Sequence, residues 1–161
     1  GDREAFHALY ERHRDRVFHM AYRVTGNADD AEELMQETFL TVYREAASFQ
    51  GRSRFSTWLT SIVLNKSINL SKQRHGRLSL LKRFFGKPRE SEKTRASDEA
   101  QGLLDRVAPP YRVVLTLRYI FGYSHEEIAR ALDCPIGTAK SKLFQAHGAM
   151  RRALEGKGKN G

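Results

Sequence analysis

The spacing of apolar residues restricts the fold of this 161-residue chain more than any other feature. They recur every three or four positions along most of its length, and strand-like alternation is nearly absent. A chain of this kind builds amphipathic helices, so an all-α fold is expected. Phe6, Leu9 and Tyr10, followed by Val17, Met20, Ala21 and Val24, mark one face of a first helix, which Gly26 stops. Asn27 is suited to cap a second helix, with Asp29 and Asp30 at the positive end of its dipole. Leu34, Met35 and Thr38, then Phe39, Val42 and Tyr43, form the inward stripe of that helix. The stretch FQGRSR, Phe49 to Arg54, is short, polar and glycine-containing, and reads as a loop. A third helix starts near Ser53 to Ser56 and turns Trp58, Leu59, Ile62, Val63 and Leu70 inward.

The composition then changes. Residues 74–95 hold eight basic residues against Glu90 and Glu92, together with Gly76, Gly86 and Pro88. This is the composition of a flexible basic linker, placed at 77–98. Its apolar patch LSLLKRFF, Leu78 to Phe85, is unusual for a spacer and suits docking. A second helical block follows. Leu103, Leu104 and Val107 lie on a short helix ended by Pro109, and Pro110 fits the first turn of the next. Val113, Val114, Leu117 and Ile120 stripe that next helix, which Gly122 stops. The expected architecture is therefore two small helical domains, 1–76 and 99–157, joined by the linker.

The end of the second block carries the clearest local signal. Ser124 and Glu127 make a capping box that opens one helix, Asp133-Cys134 breaks the chain, and Pro135 can start another. On the last helix Ala139, Leu143, Ala146 and Met150 fall on one inward face. Thr138, Ser141, Lys142 and Gln145 lie opposite, with Lys140, Arg151 and Arg152 on the flanks. Helix, three-residue break and helix is the helix-turn-helix pattern, whose second helix meets base edges while flanking cations meet phosphates. Gln145 is suited to adenine, and Lys142 to guanine acceptors or a phosphate. The charge agrees: 28 basic against 19 acidic residues, net +9, favours a polyanionic partner, nucleic acid before membrane.

Two blocks together carry a family resemblance. APPYRVVLTLRYIFGYSHEEIARALDCPIGTAKSKL resembles the promoter-binding end of a bacterial sigma factor of the extracytoplasmic-function (ECF) group. NADDAEELMQETFLTVYREAASFQ resembles the helix by which that family binds core RNA polymerase, and FSTWLTSIVLNKSIN resembles its promoter-melting and −10-reading segment. The resemblance implies a factor that directs core polymerase to promoters and initiates transcription in the cytoplasm.

The implied roles fall on particular residues. Five acidic residues lie between Asp29 and Glu37 with no base among them, which suits a basic protein surface. In the family this is the clamp of the polymerase's largest subunit. Asp30, Glu33, Gln36, Glu37 and Thr41 lie off the apolar stripe and are the expected core-binding residues. The resemblance places a flipped −10 base in the loop, with Phe49, Gln50, Arg52, Arg54 and Ser56 as its candidates. Further −10 contacts fall to Trp58, Asn65, Lys66, Asn69 and Lys72, although Trp58 suits an ordinary core position at least as well. Thr138, Lys140, Ser141, Lys142 and Gln145 would read duplex DNA at the −35 element. The C-terminal domain would also touch the flap of the second-largest subunit, and an anti-sigma factor commonly restrains the group. The family often has arginine at the position of Lys142 and a basic residue at that of Gln145, so the departure bears on the −35 sequence.

Other chemistry finds little support. No phosphate-cradling glycine loop is present, so strand separation has to be driven by binding energy. His7, His13 and His19, spaced by six, do not share a helix face, and His125 and Cys134 lack further ligands beside them. No enzyme, metal, cofactor or small-molecule substrate is expected, and no run approaches the length of a membrane span. Two other readings use the same residues: a sigma-like decoy for an anti-sigma factor, and a free-standing helix-turn-helix regulator.

Overall fold

The computed structural model describes the backbone of residues 2–85 and 99–156, and the side chains of 2–74 and 99–156. The described residues are helical, with no strand among them. Helix α1 spans Asp2–Thr25, α2 Ala28–Glu45 and α3 Phe55–Phe85, with a single 3-10 turn at Ala46–Ser48 before the loop. These three helices form an N-terminal unit. A C-terminal unit holds α4 (Glu99–Leu104), α5 (Pro109–Leu115), α6 (His125–Ala131) and α7 (Ile136–Glu155). Between α5 and α6 the chain widens into a π turn at Thr116–Ile120.

The helix ends follow from local chemistry. Gly26 takes φ 71°, a conformation that favours glycine, and closes α1. Asn27 Oδ1 then accepts from the Asp30 amide at 3.0 Å and starts α2. Ser124 and Glu127 form the full reciprocal capping box at the head of α6. Asp133 turns the chain with φ 48°, and Pro135 precedes α7. The break between α6 and α7 is therefore tight, as a helix-turn-helix requires.

Burial follows the apolar period closely. Val17, Met20, Ala21 and Val24 of α1 meet Leu34, Met35, Phe39 and Val42 of α2 and Leu59, Val63 and Leu64 of α3. In the C-terminal unit Val113, Val114 and Leu117 pack with Ile128, Ala139, Leu143 and Ala146. Tyr43 departs from its expected inward position and is 64 % exposed. It sits beside the start of α1, where the Phe6 ring meets it at 5.2 Å in a T-shaped pair. Helix α3 is also longer than the sequence suggests. Its backbone stays helical over residues 77–85, where linker was expected. The rest of the expected linker, 86–98, lies outside the described residues, as do the side chains of the LSLLKRFF patch.

The two units are packed against each other. Helices α4 and α5 lie on α1, and α5 and α6 lie on α3. Buried residues of both units belong to one continuous cluster. The fit is close: a β-carbon added at Gly26 would stand 2.6 Å from Asp105 Oδ1 across the seam.

Candidate nucleic-acid and protein interfaces

Three surfaces carry the expected residues. The first is the outer face of α7. Thr138, Lys140, Ser141, Lys142 and Gln145 are all exposed, while Ala139, Leu143 and Ala146 between them are buried. The helix is thus fixed by one face and offers the other, with polar heads flanked by two lysines. That arrangement can reach base edges and phosphates in a major groove. Phe144, at 79 % exposed, shares the outer face. His147 accompanies it on the flank and hydrogen-bonds through Nε2 to the Tyr119 hydroxyl.

The second is the outer face of α2. Glu33, Gln36 and Glu37 are exposed and Thr41 is half-buried, its hydroxyl donating to the Glu37 carbonyl at 3.0 Å. Asp30 does not belong with them. It is 3 % exposed and is held by the Arg74 guanidinium of α3. Burial raises its pKa above the ordinary carboxylate value, Arg74 opposes this, and Glu33 and Asp29 add to the rise. Asp30 is thus a tie between α2 and α3, with its side chain buried rather than on the exposed face. Leu40, 56 % exposed, takes a place on this surface beside Glu37. Its signal in the sequence was an apolar residue outside the stripe.

The third is the loop and the outer side of α3. Gln50, Arg52 and Arg54 are exposed, and Ser56 is half-buried. Phe49 turns inward: its ring lies 5.1 Å from Trp58 and 5.8 Å from Phe55. Trp58 is half-buried between these rings, yet also lines an open cleft of about 500 Å³. It therefore supports the loop and also keeps an edge on the cleft. Asn65, Asn69 and Lys72 are exposed, whereas Lys66 is half-buried, with Nζ 3.5 Å from Glu37 Oε2. That pair links the outer face of α2 to α3. At the loop's edge the His13 ring lies 5.5 Å from Phe55, and burial, with Arg12 and Arg16 nearby, lowers its pKa. No group of three His, Cys, Asp or Glu side chains is placed to hold a metal among the described residues. No helix among them is long and apolar enough to cross a membrane.

The sigma-70 region 2 profile matches residues 9–77, and the sigma-70 region 4 profile matches residues 97–150. The chain is 31 % identical over 171 aligned residues to the RNA polymerase sigma-H factor of Pseudomonas aeruginosa, covering 96 % of this chain and 89 % of that protein. It is 28 % identical to the ECF sigma factor SigW of Bacillus subtilis, covering 96 % and 91 %. Identity to the ECF sigma factor SigE of Mycolicibacterium smegmatis is 32 %, over 91 % of this chain and 60 % of that longer protein. Among solved structures, the fold matches the sigma factor RpoE of Bartonella quintana in its co-crystal with the anti-sigma factor NepR. The TM-score is 0.71 at 22 % identity, covering 94 % of this chain and 98 % of that one. CnrH, bound to the cytosolic domain of CnrY, matches with TM-score 0.70 at 23 % identity, covering 97 % and 91 %. With two sigma-70 regions in order on two helical units, and relatives of this similarity along nearly the whole chain, the protein belongs to the sigma-70 family as a sigma factor of the ECF group.

Proposed function

We propose that this chain directs core RNA polymerase to promoters by dividing the work among its three surfaces. The observation that carries this reading is the pairing of an exposed acidic face on α2 with an exposed polar and basic face on α7, in one chain matched by both sigma-70 regions. Glu33, Gln36, Glu37, Thr41 and Leu40 engage the clamp of the largest polymerase subunit. Gln50, Arg52, Arg54 and Ser56 gather around a flipped −10 base, while Trp58, Asn65, Asn69 and Lys72 follow the same strand. Base stacking and cation contacts supply the energy that holds the strand apart. Thr138, Lys140, Ser141, Lys142 and Gln145 read the −35 duplex, and the C-terminal unit touches the flap of the second-largest subunit. The working division is 1–76, 77–98 and 99–157, in the cytoplasm. An anti-sigma factor is a further partner, a reading supported by the two sigma–anti-sigma complexes that share the fold.

Run-off transcription with core polymerase on a promoter library tests the reading. A promoter-dependent transcript is expected. Absence of transcript from every promoter, with tight duplex binding by the free protein, would sink it in favour of a free-standing regulator. Absence of both would favour a decoy.

A further inference from the structure

Lys66 and Glu37 stand on two different working surfaces, yet they pair with each other. Glu37 belongs to the exposed acidic face of α2, whereas Lys66 lies on α3 between Asn65 and Asn69 in the chain. Lys66 Nζ is 3.5 Å from Glu37 Oε2, across 29 residues of sequence. The lysine side chain is 28 % exposed and the glutamate 50 %, so water and partners still reach the carboxylate.

The other acidic residues expected to bind polymerase are arranged differently. Glu33, one turn before Glu37, is exposed and makes no ion pair among the described residues, while Asp30 is buried against Arg74. Of the three, only Glu37 is both open to a protein and already paired with a cation. On α3, Asn69 is the neighbour of Lys66 on the helix surface, three residues on, and Asn65, Asn69 and Lys72 are exposed. An ammonium group released from Glu37 therefore has the proposed strand path beside it. Two cations cannot share one carboxylate without repelling each other. A guanidinium grips a carboxylate through two hydrogen bonds, whereas a half-exposed lysine pair is weak, so an incoming arginine displaces the lysine.

We propose that Glu37 exchanges counter-cations: it holds Lys66 in the free protein, and a basic group of the polymerase takes its place, leaving Lys66 to meet a phosphate of the −10 strand. Lys66 is then a strand contact that core binding switches on. One carboxylate couples the two interfaces, and by linkage the strand raises core affinity by the same factor that core raises strand affinity. The proposal rests on the core-binding role of the α2 face given above.

The test uses the full chain, core polymerase and a labelled single-stranded −10 oligonucleotide from a promoter that yields transcript in the run-off assay. Lys66→Met keeps the length of the side chain and removes its charge. It should tighten core binding about threefold, because no surface pair then has to be displaced. In the complex with polymerase it should weaken oligonucleotide binding about threefold at low salt, with a smaller loss in the free protein. Glu37→Gln should raise the affinity of the free protein for the oligonucleotide about threefold, and the gain should vanish when Lys66→Met is added. Circular dichroism checks the fold of each variant, and Lys66→Gln takes the place of Lys66→Met if that variant does not fold. Opposite shifts for the two partners are an outcome that a residue supporting only the fold does not produce. Core binding unchanged or weakened by Lys66→Met would overturn the exchange. So would an equal strand loss with and without polymerase, or a Glu37→Gln gain that survives the loss of Lys66. Failure of the wild type to bind core at all would remove the role of the α2 face itself, and the exchange with it.

Discussion

The outer faces of α2 and α7 are both polar faces of amphipathic helices, yet the fold treats them differently. On α7 every candidate reader points to solvent, because the helix is held along its other face by Ala139, Leu143 and Ala146, with Met150 and Ala153 packed beyond them. On α2 the acidic residues are divided. Glu33 and Gln36 remain open, Glu37 approaches Lys66, and Asp30 is buried against Arg74. The difference comes from the neighbours. Arg74 and Lys66 of α3 reach across to Asp30 and Glu37 on α2, whereas the candidate readers of α7 all lie on its exposed side. A polar residue on a surface helix can be read as available from periodicity, but on a central helix it must be checked against the third element.

This contrast can be broken by experiment. The largest effect is expected from Glu33→Lys with Glu37→Lys, which reverses the charge of the exposed α2 face and also breaks the Glu37–Lys66 pair. Affinity for core polymerase should fall at least a hundredfold, while circular dichroism shows an unchanged helical fold. Undiminished core binding would remove the assignment of that face. A smaller and narrower loss is expected from Gln145→Ala on α7. It should cost about 1–3 kcal/mol at one −35 base pair and relax preference there, as measured by binding to single-base promoter variants. Uniform weakening across all variants would instead make Gln145 a backbone contact.

The smallest effect is expected from Asp30→Asn. Core binding should stay within about twofold of wild type, and stability at neutral pH within about 1 kcal/mol, because half-exposed Arg74 can be rehydrated. The variant should differ from wild type in its response to pH. The folded state raises the Asp30 pKa above 3.8, so this group favours folding most at low pH, and that contribution is lost as pH rises through the raised value. Thermal melts from pH 3 upward should therefore show a flatter profile over that window in Asp30→Asn. A strong loss of core affinity would return Asp30 to the polymerase-binding set.

Much of this was legible in one dimension. Caps and breakers at Gly26, Asn27, Gly122, Ser124 and Asp133 act within a few residues, so their chemistry is contained in the local sequence. The reading face of α7 was legible for the same reason, since one short period fixes both its buried and its open sides. Leu40 was missed because it breaks the stripe, and Tyr43 was misplaced because periodicity does not know where the partner helix ends. Phe49 was expected to hold a base, but aromatic residues nearby in sequence, Phe55 and Trp58, give its ring a drier place to pack.

The sequence alone determined the helical elements, their order in two units and the chemistry of the DNA-reading helix, because each depends on contacts within a turn or two of helix. Only the tertiary structure decided which carboxylates are free, that Trp58 both packs and lines a cleft, and that Tyr123 reaches Arg16 and Thr60 across the seam. Those partners are 107 and 63 residues away from Tyr123 in the chain. No local period encodes such a meeting, which exists only once two apolar surfaces have found each other and brought their polar edges into register.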